Sequence, residues 1–490
     1  MTEKFVLALD LGTTSAKAVV FEQNGKLVAE AERMITSYYP EPDWVEQNPN
    51  EIEMAARKAV KDVMKKGNIA SKNLQAMGFS AAMHSLICVD EQFNPLSNVM
   101  IWADGRSLEQ ARELRATIGD EIYANTGLPN HPMSPLCKLL WMKETNFEPY
   151  QKAAYFMSAK EYVIQKWFGV RKIDYAMASA TSLFNMKAFE WDAQALALVG
   201  VRPEQLAEIA PPTELLTGLN KEIADEMGIS VNLPVAIGSA DGQLANLGSG
   251  AISPGEVAIS AGTSGAIRQM MKGFKVSEAQ EVFCYAFTDE LSIIGGPTNN
   301  GGIALQWLKE LLEYKGSFDA LTREAEKVNL GADGLLFIPY INGERAPVWR
   351  QEAKGNFFGL SITHKKEHLV RAVLEGITYN LFHIGMALEK QAGETKRIYV
   401  NGGLAQSSLW VQMLADVFGK EVYLSESHHS AAWGAAWTAL YAIGQVDSLE
   451  QIKQNIPIEA IIKPNMDHHE IYKKNFEKYV GLANDLLKYF

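Results

Sequence analysis

The stretch Leu7-Ala-Leu-Asp-Leu-Gly-Thr-Thr-Ser-Ala-Lys17 decides how this chain is read. Apolar Phe5-Val6-Leu7-Ala8-Leu9 reads as a buried strand, and Ala16 to Phe21 as a second after only a few small residues. The outcome is strand, glycine turn, strand. A Walker loop would need Gly-x-x-x-x-Gly-Lys-Ser/Thr running into a helix, whereas Gly12-Thr13-Thr14-Ser15 runs into another strand. Three hydroxyls on a tight glycine turn still present donors to an anion. Taken alone, the same turn is also what a polar surface hairpin looks like.

The pattern returns half a chain later. Residues 257–267, Val-Ala-Ile-Ser-Ala-Gly-Thr-Ser-Gly-Ala-Ile, again run from apolar strand through Gly-Thr-Ser-Gly into apolar residues. Two halves that each open on such a hairpin would face one another across a cleft. The Gly/Ser/Pro-rich run from Gly248 to Gly255 marks the boundary, giving domains 1–248 and 249–490. Around the hairpins the chain is mixed α/β. Helical spacing of apolar residues runs over 50–66, 301–316, 367–393 and 407–419, the last closed by Gly419. Residues 335–341 and 397–400 read as buried strands between them.

Composition narrows the function classes. The chain has 490 residues, 47% apolar and 21% charged, which is ordinary for a globular protein of two domains or more. The start, Met1-Thr2-Glu3-Lys4, lacks a signal-peptide pattern, and no apolar run reaches membrane-spanning length, so a cytoplasmic protein with no membrane partner is expected. Cys88, Cys137 and Cys284 are far apart with no metal-ligand spacing, and read as buried reduced thiols. A net charge of −12 without a Lys/Arg cluster argues against nucleic acid as partner. An anionic substrate would have to be held by a few local cations against the global field.

Four constellations stand out. Asp241 in Gly238-Ser-Ala-Asp-Gly-Gln243 follows an apolar strand, where it can cap a helix or accept the proton of a hydroxyl attacking a phosphoryl group. Asn401-Gly402-Gly403, between the strand at 397–400 and a helix near Ser407, lets backbone approach a flat ligand, though a plain tight turn needs the same glycines. Met83-His84-Ser85 and Trp102-Ala-Asp-Gly-Arg106 offer short donors and acceptors beside an aromatic wall, as polyol recognition requires. Asn342-Gly-Glu-Arg-Ala-Pro347 is a charged loop that on sequence grounds is also simply a rigid turn.

In this order the motifs resemble those of the FGGY family of carbohydrate kinases, over essentially the whole chain. The resemblance implies two actin-like, ribonuclease H-like domains with ATP and Mg²⁺ in the cleft between them. It assigns Gly12, Thr13 and Thr14 to the first phosphate hairpin and Gly262 and Thr263 to the second. Asp10 would hold Mg²⁺ through water, and Lys17, where some relatives carry Arg, would meet phosphate as a point charge. Asp241 matches the family's catalytic base, and Gly301, Gly403 and Ser407 match nucleotide contacts.

Residues 127–144, with "MHSLI" and "WADGR", are most similar to the gluconate-specific branch. That implies conversion of D-gluconate to 6-phosphogluconate, with His84, Ser85, Trp102, Asp104, Arg106, Lys138 and Gln243 toward the substrate. His131, Lys138, His84 and Arg106 are the candidates for its carboxylate, the alternative being that Lys138 and His131 make structural contacts. A kinase for xylulose or another pentulose is the alternative within the fold, and an actin-like or chaperone-type ATPase the alternative outside it. Against the latter, the second hairpin lacks the acidic residue typical of those ATPases. The expected partner is a small sugar or sugar acid; a homodimer is compatible with the sequence.

Overall fold

The computed structural model describes residues 4–425 and 429–490. Its first sheet is built from β1 (Phe5–Leu11), β2 (Ser15–Glu22), β3 (Leu27–Met34), β4 (Leu74–Ala81), β5 (Leu215–Leu216) and β6 (Val235–Ala240), in the order β5-β6-β4-β1-β2-β3. β1 runs antiparallel to β2 and parallel to β4, and β4 parallel to β6. The apolar run at the start of β1 is fully buried, as a strand covered on both faces demands.

Helix α1 (Pro49–Lys66) covers β2 and β3. The Asn48 side chain accepts from the N–H groups of Asn50 and Glu51 to start it, and Ile52, Ala56, Val60 and Val63 lie on its buried stripe. Helix α2 (Pro135–Glu144) belongs to a layer inserted between β4 and β6, and α3 (Asp241–Gly248) follows β6 directly.

The second sheet repeats the plan. It contains β7 (Glu256–Ala261), β8 (Gly265–Lys272), β9 (Phe283–Ala286), β10 (Leu291–Thr298), β11 (Arg397–Asn401), β12 (Val422–Ser425) and β13 (Ile458–Ile462), in the order β9-β10-β8-β7-β11-β12-β13. Here β7 is antiparallel to β8 and parallel to β11, and β11 is parallel to β12. The sequence echo is therefore a duplicated topology: β7 stands in its sheet where β1 stands in the first.

Helices α4 (Gly302–Leu311), α5 (Lys366–Ala392), α6 (Ser408–Phe418) and α7 (Ser430–Ala442) complete the second half. The spacing carried α4 on to residue 316, but Glu313 adopts φ 50° and the helix ends before it. The boundary in sequence is not a clean division in space, because α7 packs on α3, β4 and β1 of the first half. Glycine makes that contact close: a Cβ on Gly434 would lie 2.1 Å from the Leu244 carbonyl oxygen, and one on Gly248 1.8 Å from that of Ser430. All three cysteines are buried free thiols. Among the described residues no helix is long and apolar enough to cross a membrane.

Candidate active site

The carboxyl ends of β1, β4, β6 and β7 meet at a cleft of about 380 Å³, the usual ligand position in sheets of this kind. Asp10, near the end of β1, stands in register with Ser80 of β4, which in turn stands opposite Ser239 of β6. The Ser80 hydroxyl donates to Asp10 Oδ1 at 2.7 Å. Burial raises the Asp10 pKa, and Ser80, Lys17 and His429 work against the rise. Lys17 reaches this position because β2 places it directly across from Asp10.

Asp241 is the first residue of α3 and does not cap it: the cap position is Ala240, and the Asp241 carboxylate accepts from the N–H of adjacent Gly242 at 2.7 Å. Its pKa is pushed up to about 6, first by burial and then by the charge of Asp10, with Arg268 pulling the other way. A half-buried carboxylate so raised, lining a cleft, is suited to proton acceptance near neutral pH.

Both hairpins close on themselves and leave donors turned outward. The N–H of Gly12 donates to the Ser15 carbonyl at 3.0 Å, and that of Gly262 to the Ser264 carbonyl at 2.9 Å. Trp102 Nε1 donates to Thr13 Oγ1 at 2.9 Å, which leaves the hydroxyl hydrogen of Thr13 for an acceptor in the cleft. Thr14 and Thr263 are exposed on the two turns. The carbonyls of Gly262 and Thr263 accept from the N–H groups of Gly302 and Ile303 at 2.6 and 3.0 Å, locking the second hairpin to the start of α4.

Gly301 is glycine for a local reason, since a Cβ there would lie 2.6 Å from the Ser264 carbonyl oxygen. Gly262 is different: a Cβ would meet nothing within 4 Å, so its bare backbone opens on the cleft. Gly403 begins a short turn after β11, and Ser407 Oγ accepts from the Trp410 N–H at 3.3 Å as the cap of α6. Neither these two nor Gly301 lines the cleft itself.

The acceptor end departs from the sequence reading. His84 and Trp102 line the cleft. His84 Nδ1 lies 2.8 Å from the Ala180 carbonyl, and burial holds its pKa down at about 3, so the ring is neutral. Ser85 does not line the cleft; its hydroxyl accepts from the Ala159 N–H at 2.9 Å.

Asp104 and Arg106 are turned away as well. Arg106 pairs with Asp104 and Glu46, each at 2.7 Å, with its side chain fully buried and the guanidinium 3.8 Å over the Trp44 ring. Lys138, on α2, donates to the carbonyls of His84 at 2.6 Å and Ile101 at 2.8 Å. Neither cation is free for a substrate carboxylate, because the WADGR stretch spends its charges clamping its own loop and Lys138 spends its donors tying that loop to His84. Trp102 alone of that stretch lines the cleft. Gln243 is fully buried on α3, and neither of its amide atoms has a hydrogen-bond partner.

The cations that do line the cleft are Arg268 of β8 and Arg345 of the Asn342–Pro347 loop. Arg268 flanks Asp241: a Cβ on Gly242 would lie 3.0 Å from its Nε. The sequence held a signal for it, a lone charge inside the apolar run 266–271. Among the described residues no group of three or more His, Cys, Asp or Glu side chains is placed to hold a metal ion.

Comparison with known proteins agrees with this architecture. Residues 5–248 match the N-terminal domain of the FGGY family of carbohydrate kinases, and residues 257–443 its C-terminal domain. The gluconokinase of Bacillus subtilis is 40% identical, over 98% of this chain and 95% of that protein. The crystal structure of gluconate kinase from Lactobacillus acidophilus superposes with a TM-score of 0.96 at 31% identity, covering 99% of this chain and 98% of that one. The ligand-bound xylulose kinase from the same organism gives 0.96 at 32% identity with the same coverage.

Proposed function

This chain belongs to the FGGY family of carbohydrate kinases, and from that we propose that its acceptor is D-gluconate, converted by ATP to 6-phosphogluconate. The observation that carries the choice of acceptor is the 40% identity with a gluconokinase over almost the whole of both chains. Two half-buried arginines in the cleft of a chain with net charge −12 support it, since an anionic acceptor needs local cations there.

In this reading the acceptor's terminal hydroxyl donates a hydrogen bond to Asp241. As its oxygen bonds to the γ-phosphorus, its proton passes to the Asp241 carboxylate, and the bond from phosphorus to the β-phosphate bridging oxygen breaks to release ADP. In a loose transition state the carboxylate serves chiefly to orient that hydroxyl. The outward donors of Thr13, Thr14 and Thr263 and the open backbone at Gly262 meet the phosphate oxygens from opposite domains, and Lys17 adds a positive charge beside Asp10. Gly301, Gly403 and Ser407 lie toward the nucleoside.

Asp10 fits Mg²⁺ held mostly by water and phosphate. Its charged form is disfavoured by desolvation and favoured by the Ser80 hydroxyl, so a cation there would be attracted to it, and a single carboxylate suits an ion that keeps most of its waters. Bound there, the ion would neutralise charge on the transferring phosphates.

The xylulose reading rests on the equal superposition of the xylulose kinase structure. Backbone likeness does not separate the two acceptors, so a competition does. With gluconate and xylulose at equal concentration and products resolved by mass, 6-phosphogluconate should dominate. Exclusive pentulose phosphate would overturn the gluconate assignment.

A further inference from the structure

The loop Asn342–Pro347 takes no part in the chemistry described so far, yet it puts Arg345 into the cleft. Its neighbour Glu344 favours the Arg345 charge but forms no ion pair with it among the described residues. The Glu344 carboxylate is completely buried and accepts from Thr298 Oγ1 at 2.7 Å, Asn380 Nδ2 at 2.8 Å, Asn300 Nδ2 at 3.1 Å, and the N–H groups of Asn299 and Arg345 at 2.9 and 2.8 Å. Among the described residues the Arg345 guanidinium has no ion pair; it lies 5.3 Å from the Trp102 ring centroid and makes one long hydrogen bond, 3.4 Å, to the Thr298 carbonyl. Its Nε is buried with no partner, as are the Tyr285 hydroxyl and His131 Nε2.

Unpaired buried polar atoms are costly, and a group of them around a cation is what a polar anionic ligand would satisfy. The two arginines of the cleft have different neighbours: Arg268 stands beside Asp241, its Nε 3.0 Å from where a Gly242 Cβ would lie, whereas Arg345 stands by Trp102 and the Thr298 carbonyl. The arginine whose charge acts on Asp241 is Arg268; the charge of Arg345 acts on His84 and His131, and both arginines act on Tyr285. Both histidines are held neutral, first by burial, so neither competes with Arg345 for an anion.

Resting on the gluconate reading, we propose that Arg345 binds the acceptor's carboxylate at the end of the cleft away from Asp241 and thereby selects a sugar acid over a neutral polyol. An open-chain aldonate carries its carboxylate and its terminal hydroxyl at opposite ends, so with the hydroxyl at Asp241 its carboxylate calls for a cation other than the Arg268 beside Asp241. The planar fork of arginine accommodates a carboxylate through two parallel hydrogen bonds, and Tyr285 adds a neutral donor beside it.

The test compares D-gluconate with D-glucitol, which has a hydroxymethyl group in place of the carboxylate, in the wild type, Arg345→Gln and Arg345→Lys. The ratio of kcat/KM for gluconate to that for glucitol should fall about ten- to a hundredfold in Arg345→Gln, mostly through the KM for gluconate. Arg345→Lys keeps the charge without the fork and should show a smaller fall; it carries the test if the glutamine variant does not fold. An unchanged ratio in a wild type that does phosphorylate gluconate would overturn the role of Arg345 and leave the gluconate reading standing. A wild type that phosphorylates xylulose and ignores gluconate would overturn both.

Discussion

Asp10 and Asp241 stand at the carboxyl ends of β1 and β6, and the charge of the first helps raise the pKa of the second to about 6. A proton acceptor must be ionised to work, so kcat/KM should fall as pH drops through about 6. Asp241→Asn should remove that acid limb and lower turnover by orders of magnitude, while ATP affinity measured by calorimetry stays close to wild type. Retention of more than about a tenth of turnover, a loss under roughly 1.4 kcal/mol, would exclude Asp241 as the base.

The same shift has a sign in stability. The folded-state pKa of Asp241 lies above its unfolded value of 3.8, so between those two pH values the folded protein binds more protons and wild-type stability declines as pH rises. Above about pH 6 the full penalty of the buried charge is present. Asp241→Asn should therefore melt at a higher temperature than wild type at pH 7 and at nearly the same temperature near pH 4, with a gain on the order of 1–3 kcal/mol at neutral pH. A variant no more stable at pH 7 than at pH 4, relative to wild type, would show that the Asp241 carboxylate is not strained by its surroundings.

Gly262 of the second hairpin and Gly301, at the start of α4 against it, should respond differently to a methyl group. At Gly262 the Cβ meets only open space, so Gly262→Ala should leave the melting temperature within about 2 °C of wild type while raising the KM for ATP, if the hairpin meets phosphate as proposed. At Gly301 the Cβ meets the Ser264 carbonyl oxygen at 2.6 Å, so Gly301→Ala should destabilise the fold itself, by about 1–3 kcal/mol. Chemical denaturation and ATP titration of both variants separate the effects. Equal ATP kinetics in Gly262→Ala and wild type would take phosphate away from this hairpin.

Much of this was legible in sequence because it is local. A glycine turn between apolar strands, repeated at 257–267, is enough to give the duplicated sheet plan, and Asp241 could be placed at a cleft because it directly follows a buried strand. What could not be read is which way a charged side chain points. Arg106, Lys138 and Arg345 are equally plain cations in sequence, yet the first two are consumed by partners from distant segments, Glu46 and the carbonyls of His84 and Ile101. Among the described residues Arg345 has no ion pair, and the Glu344 carboxylate beside it is held by Thr298, Asn300 and Asn380. Such pairings depend on long-range packing, which local periodicity does not encode. The packing of α7 back on the first sheet was missed for the same reason.

Lys138 offers the sharpest check on that distinction. Its ammonium joins the loop carrying His84 to the loop carrying Trp102, and burial lowers its pKa to about 7. Lys138→Met keeps the length of the side chain but takes the Lys138 donor from the His84 carbonyl, at about 1–3 kcal/mol, and leaves the Ile101 carbonyl only the N–H of Asp104; removing a desolvated charge partly offsets the loss. The variant should lose activity toward gluconate and glucitol alike, with their ratio unchanged within about twofold, because a misplaced Trp102 and His84 affect any acceptor. Its pH dependence is also fixed in sign. Between about pH 7 and 10.5 the unfolded chain holds the lysine proton and the folded one releases it, so wild-type stability gains with rising pH through that window. The variant has no such term, and the melting-temperature gap between wild type and Lys138→Met should widen from pH 7 to 9. A gluconate-specific loss with an unaltered glucitol rate would instead put Lys138 on the substrate carboxylate and displace Arg345 from that role.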